Sequence, residues 1–193
     1  MKFSEIKEIL SQKKVGIAGA GGLGSNCAEA LVRSGLGKLV IVDYDCVDES
    51  NLNRQFYFLD QVGHSKVDAL GQNLLRINPG LDLQPVNVKI DKNNIQELFE
   101  DVDVLVEALD MADQKEMLVE TALEKWPDRP LVVGSGMAGF GNVKALESKK
   151  YGMLYVCGDE KEEISHDNPP LAPRVGIVAG MQADVVLGIL LKA

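Results

Sequence analysis

The stretch GAGGLGS, Gly19 to Ser25, follows a short apolar run and opens a helix-favouring segment. Such a turn aims backbone amides and a helix dipole at an anionic phosphate, and glycine removes the side chains that would intervene. Asp43 ends the next apolar run, Lys38 to Val42, where a carboxylate can accept hydrogen bonds from ribose hydroxyls. Loop and acid together call for a nucleotide, and by themselves they suit NAD in an oxidoreductase as well as ATP.

The residues that follow separate the two. Asp43 is followed by YDCVDESNLNRQF, then by GHSK ending in Lys66, and Asp110 comes after the apolar run Val104 to Ala108. In this order GAGGLGS, Asp43 with Asp45, SNLNRQ at Ser50 to Gln55, Lys66 and Asp110 resemble the ThiF/MoeB/HesA branch of the ubiquitin-activating superfamily. The resemblance covers about residues 14 to 145 and, in general pattern, PRVGIVAGMQADVVLGIL near the C-terminus. It implies that Gly19, Gly21, Gly22, Leu23 and Gly24 lie against the nucleotide and that Asp43 binds its ribose. It further implies that Asn51, Arg54 and Lys66 contact the triphosphate and that Asp110 holds a magnesium ion. Asp45, Gln55 and Asp113 could serve the site or only the fold. Each assignment has a plainer alternative: Arg54 and Lys66 as surface charges, Asn51 as a turn cap, Asp110 as the N-cap of a helix beginning near Met111.

The implied chemistry is adenylation. A carboxylate oxygen attacks the α-phosphorus in line while pyrophosphate leaves, so negative charge must be neutralised throughout. Arg54 offers planar, multiple hydrogen bonds, Lys66 a point charge, and a magnesium ion on Asp110 a Lewis acid. The implied partner is a ubiquitin-like, ThiS-like sulfur-carrier protein ending in Gly-Gly, with thiamine biosynthesis as the pathway. A nucleotide-binding partner without turnover remains the other reading, beside the NAD-dependent oxidoreductase.

Three departures from the family's pattern matter. Its two C-x-x-C pairs for structural zinc are missing, because Cys27, Cys46 and Cys157 stand far apart, so no zinc is expected. The crossover region, residues 146 to 172, is short and is expected to be held by packing instead. Cys157 ends an apolar run and reads as an inert core residue, with a covalent role in sulfur transfer as the alternative. An arginine that relatives insert from the partner subunit is absent before Lys14, leaving Lys13 or Lys14 to replace it in a homodimer. His64 and His166 have no ligand-spaced neighbours, so a transition-metal site is not expected.

The elements that must position these residues read as alternating strand and helix. Val15 to Ala18, Lys38 to Val42, Val102 to Ala108 and Leu131 to Val133 are buried strands. Helices cover Ser25 to Ser34, Val67 to Ile77, Gln114 to Lys125 and Val175 to Leu191. The glycine-dotted stretch from Gly134 to Cys157 carries β-type segments without a helix and predicts an antiparallel addition. The expected fold is an α/β, Rossmann-like, mainly parallel sheet with helices on both faces, in one domain over residues 1–193. A net charge of -9 argues against a nucleic-acid partner, since backbone binding needs clustered cations. Gln182 and Asp184 interrupt the C-terminal apolar stretch and favour a buried helix over a membrane span. A cytoplasmic location is expected.

Overall fold

Val15 and Ile17 on one face, with Gly16 and Ala18 on the other, make the strand β1 (Lys14–Ala18) free of polar side chains on both faces past Lys14, as an interior strand of a parallel sheet must be. In the computed structural model, which describes residues 1–162 and 164–192, β1 lies between β2 (Lys38–Val42) and β4 (Val104–Glu107), with Ile17 opposite Ile41 and Val106. The remaining strands are β3 (Asp82–Val86), β5 (Leu131–Ser135), β6 (Glu147–Tyr151) and β7 (Leu154–Gly158). They complete a seven-stranded sheet in the order β3-β2-β1-β4-β5-β7-β6.

The helices are α1 (Phe3–Leu10), α2 (Gly22–Ser34), α3 (Lys66–Ile77), α4 (Ile95–Phe99), α5 (Ala112–Lys125) and α6 (Ala172–Leu190). One apolar core joins α2, α3 and α6 to one sheet face, and a second joins α4 and α5 to the other. The chain winds from β1 through β2 to β3, then returns to place β4 on the far side of β1. This reversal opens a crevice between the C-terminal ends of β1 and β4, the place where open α/β sheets bind ligands.

Sequence reading leaves α1, β3 and α4 unassigned. β3 is an edge strand with Pro85 paired to Ile41 and a largely exposed side-chain pattern, so neither apolar periodicity nor β propensity marks it. The antiparallel addition takes a particular form: β7 joins β5 in parallel, and β6 then pairs antiparallel with β7 at the edge.

α6 is long and apolar enough to cross a membrane, with a mean hydropathy of 1.4 over its best window. It packs against α2 and the sheet, burying Val175, Val178, Val186 and Leu190. Gln182, fully buried on this helix, donates through Nε2 to the Glu107 carbonyl at 3.0 Å. This bond satisfies the amide nitrogen inside the core, while Gln182 Oε1 is buried without a partner.

Candidate functional site

Gly19 leaves β1 with φ +100, and a Cβ there would stand 2.5 Å from the Ala108 carbonyl oxygen. A Cβ on Gly24 would stand 1.9 Å from the Gly19 carbonyl oxygen, so both positions require glycine for close approach. α2 has Gly21 as its N-cap and no side-chain cap, which leaves its first amides free of a side-chain partner. Two side chains that sequence reading missed then fasten the Arg54 segment over this loop. Ser25 Oγ accepts from the Phe56 amide at 3.0 Å, and Asn26 Nδ2 donates to the Arg54 carbonyl at 2.8 Å. Their signal was faint, because serine and asparagine in a helix usually look inward to their own backbone.

Asp43 accepts from the Ala20 amide at 2.6 Å and the Asp45 amide at 2.8 Å. Burial raises its pKa above the ordinary aspartate value, against the pull of Lys66 and these two amides. Lys66, the first residue of α3, donates to Asp45 at 2.7 Å. Tyr57, also unmarked in the sequence, donates its hydroxyl to the Ala20 carbonyl at 2.7 Å and ties the loop to the start of α3. Desolvation, with the nearby Asp43 and Asp45 charges, pushes this hydroxyl's pKa well up, so it remains a donor.

Of the expected site residues, Gly19, Gly21, Gly22, Leu23, Asp43, Asp45, Arg54, Gln55, Lys66 and Asp110 line one cleft of about 250 Å³. Two do not. Gly24 packs beneath Gly19. Asn51 accepts from the Asp48 amide at 3.1 Å and closes the turn Glu49–Asn51, which is the turn-cap alternative. The N-cap of α5 is Met111 rather than Asp110, and Asp110 is exposed with no hydrogen bond or ion pair among the described residues. Asp113 accepts from the Gln114 amide at 2.8 Å within the first turn of α5 and lies outside the cleft wall. Arg54 donates to Asn53 Oδ1 at 2.7 Å, so its guanidinium stays oriented by its own loop. Gln55 Oε1 is buried without a partner in the cleft wall, an acceptor waiting for a donor.

The cleft lining also includes Tyr44, Val88, Ile90 and Met111, apolar surface of the kind that a flat base takes. Met137, Ile164, Pro170 and Val175, from three separate segments, line the same cleft. Packing alone does not hold those segments, in contrast to the expectation from the sequence. A buried Arg174–Asp159 ion pair joins α6 to the end of β7. Arg174 also donates to the Gly141 carbonyl at 2.7 Å, and Asp159 accepts from the Lys161 and Glu162 amides at 2.9 Å. Cys157 is fully buried on β7, and burial pushes its thiol up to about 11. A thiol so placed is a poor nucleophile. Lys14 is paired with Asp101 at 2.8 Å at the opposite end of the sheet from the cleft.

The donor set fits Mg-ATP. Fixed amides, two cations and a carboxylate at the end of β2 are groups that a triphosphate nucleotide can use. Among the described residues no group of three or more His, Cys, Asp or Glu could hold a metal by itself. A lone Asp110 suits magnesium, which draws most of its ligands from phosphate and water.

The fold and the cleft together define a Rossmann-like nucleotide-binding protein. More narrowly, the ThiF family pattern matches residues 3–193, and the chain belongs to the ThiF family. It is 32% identical over 190 residues to the adenylyltransferase and sulfurtransferase MOCS3 of Caenorhabditis briggsae, covering 95% of this chain and 47% of that protein. It is 32% identical to the SAMP-activating enzyme E1 of Haloferax volcanii, covering 94% of this chain and 62% of the other. The tRNA threonylcarbamoyladenosine dehydratase of Bacillus subtilis is 35% identical over 133 residues, covering 68% of this chain and 52% of that one. The chain thus spans about half the length of the curated relatives it matches. Among solved structures, the E. coli tRNA threonylcarbamoyladenosine dehydratase TcdA in complex with ATP has a TM-score of 0.88 at 18% identity, covering 97% of this chain and 89% of the other. That likeness establishes the fold.

Proposed function

We propose that this chain uses Mg-ATP to adenylate the C-terminal glycine carboxylate of a ubiquitin-like, ThiS-like sulfur carrier, in thiamine biosynthesis. The observation that carries this reading is the meeting of Arg54, Lys66 and Asp110 with the glycine-loop amides in one cleft of a ThiF-family chain. One carboxylate oxygen forms a bond to the α-phosphorus, the bond from that phosphorus to the bridging oxygen breaks, and pyrophosphate departs with the charge. Arg54 and Lys66 receive that charge, and the loop amides orient the phosphates. Magnesium, when bound at Asp110, contributes Lewis-acid neutralisation. Asp43 and the apolar lining hold the nucleoside.

The lining residues Met137, Ile164, Pro170 and Val175 are neutral and suit a narrow, uncharged tail such as Gly-Gly. Relatives named for sulfur transfer and for SAMP activation support a carrier-protein partner. Arg54, Lys66 and Asp110 favour ATP over NAD, because a hydride carrier does not require cations around a departing pyrophosphate. A homodimer in the cytoplasm belongs to the same reading.

A second acceptor class has a specific basis in the relative named as a tRNA threonylcarbamoyladenosine dehydratase. A net charge of -9 weighs against it, since an RNA backbone requires a basic track. Magnesium-dependent exchange of labelled pyrophosphate into ATP tests the proposal on the wild type and on Asp110→Ala. Exchange that requires a Gly-Gly-ended carrier and disappears in the variant supports it. ATP binding without exchange on any carrier leaves a nucleotide-binding partner without turnover.

A further inference from the structure

Glu107 closes β4, and its side chain is completely buried although the rest of the strand, Val104 to Val106, is aliphatic. It lies outside the cleft wall, two residues before Leu109 and three before Asp110, both of which line the cleft. Its Oε1 accepts from the Leu109 amide at 2.7 Å, and its other oxygen is bonded to the Lys115 ammonium from α5. Lys115 also donates to the Gly134 carbonyl on β5 at 2.7 Å. This pair of a buried carboxylate and a half-buried ammonium therefore ties together β4, β5, the first turns of α5 and the segment that carries Asp110.

Stability does not explain this pair. Burying the Glu107 carboxylate costs desolvation that its partly exposed Lys115 partner offsets only in part, so apolar side chains of equal volume would be no less stabilising. What it gives here is direction: a carboxylate receiving the Leu109 amide sets the backbone that follows it. Desolvation raises the Glu107 pKa while Lys115 and the Leu109 amide oppose that shift, so the charges depend on each other.

We propose that Glu107 and Lys115 are positioning residues that fix the Leu109–Met111 turn and thereby present the Asp110 carboxylate to the metal-bearing triphosphate. The inference rests on the reading of Asp110 as the residue that holds magnesium.

Calorimetric binding of ATP with magnesium, ATP with EDTA, and AMP separates the two claims. The proteins compared are the wild type, Asp110→Asn and the paired variant Glu107→Leu with Lys115→Met. In the wild type magnesium tightens ATP by about tenfold or more, as expected when a carboxylate and phosphates share the ion. In the paired variant that gain falls below about threefold while AMP affinity is unchanged, matching Asp110→Asn. Lys115→Arg, which keeps the charge, retains most of the gain. Should the paired variant fail to fold, Lys115→Gln carries the same comparison. A full magnesium gain in a folded variant, with loss in Asp110→Asn, overturns the positioning role and leaves the function standing. No magnesium gain in the wild type overturns the reading beneath it.

Discussion

The Lys66 ammonium sits 2.7 Å from Asp45 Oδ2, with the lysine side chain 8% exposed and the aspartate side chain 43% exposed. Of the two cations in the cleft, Lys66 is thus already neutralised by an anion that a triphosphate must displace or share. Lys66→Ala is expected to weaken ATP binding by about tenfold to a hundredfold, the range for a charge-assisted hydrogen bond. Asp45→Asn removes the competitor and is expected to tighten ATP by about fivefold while lowering the melting temperature of the nucleotide-free protein. Calorimetry and thermal melting check both arms, and equal ATP affinities in all three proteins would sink the idea.

Gly24→Ala must push a Cβ against the Gly19 carbonyl, 1.9 Å away on unrelaxed backbone. A destabilisation of about 3 kcal/mol with loss of ATP binding is expected, because two backbone segments must separate. Gly176→Ala is the contrast, since a Cβ added at this position in α6 would meet nothing within 4 Å. It is expected to stabilise by about 0.5–1 kcal/mol in urea unfolding.

Asp43 has a folded-state pKa above 3.8, chiefly from burial. The folded chain therefore binds this proton more tightly than the unfolded chain, and between the two pKa values Asp43 makes stability fall as pH rises. Asp43→Asn does not titrate, so wild-type stability relative to this variant should decline with rising pH through that window. ATP affinity should move the opposite way in the wild type, weakening on acidification as the ribose acceptor becomes protonated. Urea unfolding and ATP titrations from about pH 3.5 to 7 read both slopes, and a flat difference would remove the shift from the account.

The Arg174–Asp159 pair predicts how the crossover segment responds to metal removal. EDTA should leave the melting temperature unchanged, whereas Arg174→Met should destabilise by about 3–5 kcal/mol by stranding a buried carboxylate. Trypsin cleavage after Lys161 should accelerate in that variant. A chelator-sensitive melting curve would point to a metal rather than an ion pair as the tie.

The glycine loop, Asp43 and the β1–α2–β2 unit were legible because their signals are local. A turn that brings backbone to within van der Waals contact demands glycine at Gly19 and Gly24, and a strand buried on both faces demands an aliphatic run such as Val15 to Ala18. Arg54, Lys66 and Asp110 were legible through resemblance, and the fold brings them to one cleft. Asn51 was named by the same route, and the structure shows its Oδ1 closing a turn at Asp48.

The residue types and their order determined the α/β class, the phosphate-facing loop and the main charged groups of the cleft. Tertiary structure alone decided that Pro85 lies in an edge strand, that β7 follows β5, and that Lys66 meets Asp45, Glu107 meets Lys115 and Arg174 meets Asp159. It also decided that Val88, Ile90 and Met111 line the same cleft as the glycine loop. The physical reason is range. Backbone restrictions and apolar periodicity act over a few residues and leave their mark in the sequence. Ion pairs and cleft walls join residues that only the packing of separate elements brings together, and nothing in the local sequence of one partner specifies the other.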